Sequence, residues 1–236
     1  MSNNYFEFRQ FVVRQERCAM KVGTDGCLLG AWAQGGRRIL DVGTGTGLIA
    51  LMMAQRFPQS AVTAIDVDAD AVSQARENVG ASPFGNRIEV LQADFSNQVP
   101  PLWEGVRGRP PFDCIVSNPP YFMDALTCPD NQRTLARHAT SLTYDVLMQH
   151  AFRCLSDDGE LSVVVPFDSL SRMESAAALA GLLLSRCCAV RTTERKPPRR
   201  YLLAFRKHLV YDAQRSTLLI GSPEYQAMMH DFYLKI

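Results

Sequence analysis

The sequence predicts an α/β fold built on a mostly parallel β-sheet, and three observations carry that expectation. Short apolar, β-branched runs alternate with longer helix-period segments from residue 38 to residue 184. A glycine-rich turn, Gly43-Thr44-Gly45-Thr46-Gly47, joins the first of those runs directly to a helical stretch. Two further apolar runs near the carboxyl end flank a Pro/Arg-rich turn instead of a helix, which calls for an antiparallel hairpin.

Taken in order, Phe6, Phe8, Phe11 and Val13 alternate with a slip at Arg9-Gln10, predicting an extended arm or hairpin over 5–14. Thr24-Asp25 can cap a helix that carries Cys27, Leu28, Leu29, Ala31 and Trp32 toward Gly35-Gly36. A strand at 38–42, a helix at 47–57, a strand at 61–66, a helix at 69–79 and a strand at 87–92 follow as right-handed βαβ units. Beyond the connection from Pro100-Pro101 to Pro110-Pro111 comes a strand at 112–117. The polar stretch 122–140 then reads as a long loop, a feature more often functional than structural. A helix at 143–155, a strand at 160–165, a helix at 169–184 and strands at 186–194 and 201–207 bring the sheet to seven strands. The last two form the C-terminal hairpin, tipped by Lys196-Pro197-Pro198-Arg199-Arg200. Residues 208–236 remain as a tail in which Tyr225 to Leu234 reads as helical. One domain is expected over 1–236: arm and helix to 36, core over 37–207, then the tail.

Composition narrows the classes. With 47% hydrophobic and 21% charged residues, the balance is that of a soluble globular chain rather than a disordered or fibrous one. The net charge of +1 excludes a generally basic body, so any nucleic-acid contact must be local. Seven cysteines, at 18, 27, 114, 128, 154, 187 and 188, form no C-x-x-C pair, and no histidine stands at zinc-ligand spacing. They read as reduced thiols, with no metal site expected. The first residues carry no basic-then-apolar leader, and no stretch approaches the ~18 apolar residues of a membrane span, so a cytoplasmic protein is expected. The oligomeric state is open, with a monomer the default.

Two motifs carry chemistry. In the first, Asp41 stands two residues before the glycine turn and Asp66 closes the next strand. Glycines let the backbone press against a ligand at a helix N-terminus, and an acid at the second strand's end can accept two hydrogen bonds from a ribose diol. A dinucleotide's pyrophosphate would be repelled by Asp41, whereas the ammonium of a methionine moiety would be attracted. In the second, Asn118-Pro119-Pro120-Tyr121 follows the strand at 112–117. An amino group on a base is a poor nucleophile because its lone pair is delocalised. The Asn118 side-chain oxygen and the Pro119 carbonyl can draw its N–H bonds, and Tyr121 can stack on the ring.

The run from Asp41 to Gly47 with Asp66 resembles the opening motifs of the class I S-adenosylmethionine methyltransferases, and Asn118-Pro119-Pro120-Tyr121 resembles the motif of their amino-methylating branch. The resemblance implies a Rossmann-like fold and S-adenosyl-L-methionine as cofactor. It sets Asp41, Gly43, Thr44, Gly45 and Gly47 at the methionine end, Asp66 with Val67 at the ribose, and Asp94 with Phe95 at the adenine. A solvated loop acid or an N-cap is the alternative account of Asp94. Phe11 to Gln15, Cys18 to Gly26, Arg199 to Leu203 and Asp231 to Lys235 further resemble the bacterial enzymes that methylate N6 of adenine 37 in valine tRNA. That implies a tRNA substrate, with methylation of an rRNA base or a protein glutamine as the alternative. It also implies that Lys21 and Thr24-Asp25 close over the cofactor, and helix capping explains Thr24 and Asp25 equally well. Arg195, Lys196, Arg199 and Arg200, with Arg133, Arg137 and His138, are candidate phosphate contacts, and solvated basic turns explain them equally well.

Overall fold

A computed structural model of the chain describes residues 4–18, 20–96, 111–119, 142–208 and 212–235. Two short strands, β1 (Tyr5–Glu7) and β2 (Val12–Arg14), pair antiparallel ahead of the main sheet. That sheet contains β3 (Arg38–Val42), β4 (Ala61–Asp66), β5 (Ile88–Gln92), β6 (Phe112–Ser117), β7 (Leu155–Pro166), β8 (Leu183–Arg191), β9 (Arg200–Arg206) and β10 (Gln214–Leu219). Their order is β10-β8-β9-β7-β6-β3-β4-β5. Neighbours run parallel except β9, which is antiparallel to both β7 and β8. From β3 the chain lays β4 and β5 to one side and β6 and β7 to the other. A crevice therefore opens past the carboxyl ends of β3 and β6, where such sheets bind ligands.

The central strands are apolar along their length because helices cover both faces. On one face lie α1 (Thr24–Trp32), α2 (Leu48–Arg56) and α3 (Ala69–Gly80), which bury Leu28, Leu29, Met52, Met53, Val72 and Ala75 against Ile39, Val62 and Val116. On the other, α4 (Tyr144–Cys154) and α5 (Leu170–Leu179) bury Leu147, Met148, Ala151 and Met173 against Leu40, Ile115 and Val163. At the amino ends of the parallel strands, the buried carboxylate of Glu160 accepts from Arg186 at 2.5 Å and Arg206 at 3.1 Å, far from the crevice.

The structure departs from the sequence expectation toward the carboxyl end. The sheet has eight strands among the described residues, not seven, because β10 lies within the expected tail. Gln214, Arg215, Ser216 and Thr217 are all exposed, so β10 shows no apolar alternation; it exists because it pairs with β8 from Gln214↔Arg186 to Leu219↔Arg191. The helix expected to 184 stops at Leu179: Gly181, at φ 83°, turns the chain so that β8 starts at Leu183. β7 begins at Leu155 rather than 160, where Leu155 pairs with Phe112. The helix expected over 225–234 is α6 (Pro223–Met229), capped by the Ser222 hydroxyl accepting from the Tyr225 N–H. It ends there because the following residues join the arm. Arg9 donates its backbone N–H to the Phe232 carbonyl, Phe8 bridges Tyr233, and the Phe8 ring stacks on Phe11 at 4.7 Å.

Candidate active site

β3 delivers the glycine turn to the crevice. Gly43, Gly45 and Gly47 take φ of 72°, 54° and 81°, a region L side chains rarely adopt. Where a Cβ would sit at Gly43 or Gly45, no heavy atom lies within 4 Å, so the turn presents bare backbone to open space. Beneath it, Asp41 is fully buried, accepting from the Thr44 hydroxyl at 2.6 Å and the Ala50 N–H at 3.1 Å through Oδ2. Burial pushes its pKa up to about 7 against the pull of those two hydrogen bonds. Asp41 thus braces the turn from behind and does not stand on the cavity wall, where the sequence sets it against an ammonium group. Gly47 is also off that wall, and a Cβ there would meet Ala75 of α3.

The crevice holds a cavity of about 530 Å³, within the range of small-molecule sites. Gly43, Thr44, Gly45, Asp66, Val67, Asp94, Phe95, Lys21 and Thr24 all line it, although they come from separate stretches of chain. Asp66 accepts from the Gly45 N–H at 2.8 Å and the Asp68 N–H at 3.0 Å, one bond per oxygen, which leaves each oxygen a further lone pair. Asp94 accepts from the N–H and hydroxyl of Ser96, so it closes its own turn and lines the cavity as well. The ring of His150 bonds the Phe95 carbonyl at 2.6 Å and steadies that turn from α4.

On the opposite side, Asn118 and Pro119 emerge from β6 onto the same wall, Asn118 half-buried and Pro119 buried. The Ser117 hydroxyl donates to the Val42 carbonyl at 2.9 Å, tying the end of β6 to the strand that carries the glycine turn. Pro120, Tyr121, Arg133, Arg137 and His138 lie outside the described residues.

The third wall is the segment ahead of α1. Its path is fixed by Asn78 of α3, which exchanges two hydrogen bonds with the Arg14 backbone at 2.9 and 2.8 Å and donates to the Thr46 carbonyl at 2.8 Å. Gln15 then accepts from the Val22 N–H at 2.7 Å. The sequence predicts a Thr24-Asp25 cap; instead Gly23, in extended backbone, is the N-cap and no side chain caps the helix. Asp25 is ion-paired with Arg200, and both line the cavity; burial lowers the Arg200 pKa. The structure therefore separates the basic quartet: Arg200 is engaged at the cavity, while Arg195, Lys196 and Arg199 are exposed. Nothing local announces the Asp25–Arg200 pair, because β9 brings Arg200 there only through its antiparallel register with Pro166 of β7.

The comparisons agree with this geometry. A family model described as Methyltransferase small domain matches residues 24–180. A protein from Bacteroides thetaiotaomicron named tRNA1(Val) (adenine(37)-N6)-methyltransferase is 43% identical over 247 residues, with 100% of both chains covered. One of the same name from Phocaeicola vulgatus is 46% identical over 243 residues, again with 100% of both covered. Among solved structures, a protein from Agrobacterium tumefaciens described as a predicted O-methyltransferase shares the fold, with a TM-score of 0.68 at 20% identity over 88% of this chain and 96% of that one. The chain belongs to the methyltransferase small-domain family, and within it to the group of bacterial proteins that bear the name tRNA1(Val) (adenine(37)-N6)-methyltransferase.

Proposed function

We propose that this methyltransferase uses S-adenosyl-L-methionine to methylate N6 of adenine 37 in tRNA1(Val). The observation that carries the reading is the convergence of Asn118-Pro119 and the Gly43–Thr46 turn on one cavity, with Asp66 and Asp94 beside them. The open space over Gly43 and Gly45 is what a close-lying cofactor needs, since a Cβ at either position would fill it. When bound there, S-adenosylmethionine supplies a methyl group made electrophilic by its sulfonium.

Each residue of the chain then has a definite task. The spare lone pairs of Asp66 receive the ribose hydroxyls, Asp94 and Phe95 hold the adenine, and Val67 packs beside them. Thr44 and the turn's backbone support the methionine end, with Lys21 and Thr24 closing over it. The Asn118 side-chain oxygen and the Pro119 carbonyl accept the two N–H bonds of the target amine. That pull raises electron density on the nitrogen and turns its lone pair toward the methyl group. No strong base is required, because the amine proton becomes acidic once the nitrogen carries the methyl and then leaves through these acceptors. Tyr121 contributes a ring to stack on the base, a contact of ~1–3 kcal/mol. No cluster of His, Cys, Asp and Glu suited to a metal occurs among the described residues, and none of their helices is long and apolar enough to cross a membrane.

The test is incubation of the protein and labelled cofactor with separated tRNA, rRNA and protein fractions, followed by mass spectrometry of the labelled product. N6-methyladenosine at position 37 of tRNA1(Val) is expected. Label confined to rRNA or to protein glutamine would replace this reading with its alternative.

A further inference from the structure

Phe167 is a feature near the crevice that neither motif absorbs. It follows β7 directly and is 45% exposed. Its position is held firmly: the Phe167 N–H donates to the Arg199 carbonyl at 3.1 Å, its own carbonyl accepts from the Leu170 N–H, and its ring stacks on Tyr201 at 6.0 Å and 24°. The backbone thus fixes an apolar ring in water. Isolated exposed apolar residues are common, so exposure alone decides nothing. The surroundings do. The stretch 191–200 carries five basic residues and one acid, Glu194, and Asp168 follows Phe167 in the chain. Arg195, Lys196 and Arg199 of that stretch are exposed on the same rim.

Register places the ring relative to the target. Ser117 of β6 pairs with Val163 of β7 in parallel, so Phe167 lies beside Asn118 and a few residues farther out. With strands ~4.8 Å apart and ~3.3 Å of rise per residue, the separation is on the order of 10 Å. That is beyond the base held by Asn118 and within reach of a nucleotide flanking it.

We propose that Phe167, backed by Tyr201, is a stacking platform for an unpaired nucleotide next to the target adenine, with Arg195, Lys196 and Arg199 holding the adjoining phosphates. An aromatic face set in a basic rim is the combination by which proteins bind single-stranded RNA loops. The inference rests on the proposed tRNA substrate and deepens it.

The experiment compares the parent protein with Phe167→Ala, Phe167→Tyr and Phe167→Trp on the full-length tRNA. Phe167→Ala is expected to raise the tRNA KM about five- to a hundredfold, the loss of one base–aromatic contact, with S-adenosylhomocysteine affinity by calorimetry unchanged. Phe167→Tyr retains the parent KM. In Phe167→Trp the added fluorescence, over that of the chain's own Trp32 and Trp103, is quenched when tRNA binds. A Phe167→Ala protein with the parent's tRNA KM, or added fluorescence in Phe167→Trp that tRNA leaves unchanged, overturns the platform while the tRNA reading stands. A parent protein that methylates no tRNA overturns both.

Discussion

The two sides of the crevice are built on opposite plans. On the proposed cofactor side, β3, β4 and β5 end in turns whose polar groups are already bonded to one another: Asp41 to Thr44 and Ala50, Asp66 to Gly45 and Asp68, Asp94 to Ser96. On the proposed target side, the end of β7 and the turn between β8 and β9 carry exposed groups, Phe167, Arg195, Lys196 and Arg199. The first plan fixes a shape before any ligand arrives and suits a small cofactor that is always the same. The second leaves contact surface for a large partner that brings its own structure.

That contrast can be broken at the boundary between the halves. Asn118→Ala is expected to lower kcat by about 10²–10³-fold, the usual loss of one positioned donor or acceptor at a reacting centre, with S-adenosylhomocysteine affinity retained. Single-turnover kinetics alongside calorimetry would measure both, and near-normal turnover would mean the amine is held elsewhere. The next largest effect is expected on the cofactor side. Asn78→Ala removes three hydrogen bonds that join α3 to the arm and to Thr46, at about 1 kcal/mol each, so a loss of about 2–4 kcal/mol in urea unfolding is expected. Cofactor affinity should fall with it, because the arm leads into the wall formed by Lys21 and Thr24.

The smallest effect is one of shape rather than size. The pKa of Asp41 is raised in the folded protein from 3.8 to about 7. A raised acid contributes stability that is fully present below its unfolded value and is lost as pH climbs through the folded one, here between about 4 and about 7. Asp41→Asn keeps an acceptor for Thr44 and Ala50 and cannot ionise, so its melting temperature should decline less across that window. Parallel curves for the two proteins would show that Asp41 does not titrate there.

Much of this was legible in the sequence, and the reasons differ by region. β3 to β6 announce themselves because parallel strands in a covered sheet are rich in apolar, β-branched residues, and the glycines of 43–47 announce a left-handed turn because little else tolerates one. Asn118 and Pro119 stand out as a tetrapeptide with Pro120 and Tyr121 whatever surrounds them. β10 was hidden because an exposed edge strand needs no apolar face; only its pairing with β8 makes it a strand. The buried brace formed by Asp41, the Asp25–Arg200 pair and the exposure of Phe167 were hidden for a shared reason: each depends on which distant element arrives alongside.

The clasp between the two ends of the described chain bears on biosynthesis. Phe8 and Arg9 find their backbone partners at Phe232 and Tyr233, more than two hundred residues downstream. While the polypeptide is still threading out of the ribosome, the β3–β5 half can already condense, since domains fold as their segments emerge. The arm cannot be pinned at Phe8 and Arg9 until translation has passed Tyr233. The arm's hold on Asn78 of α3 is thus available early, and its clasp at Phe8 and Arg9 closes only once the segment through Tyr233 has been made.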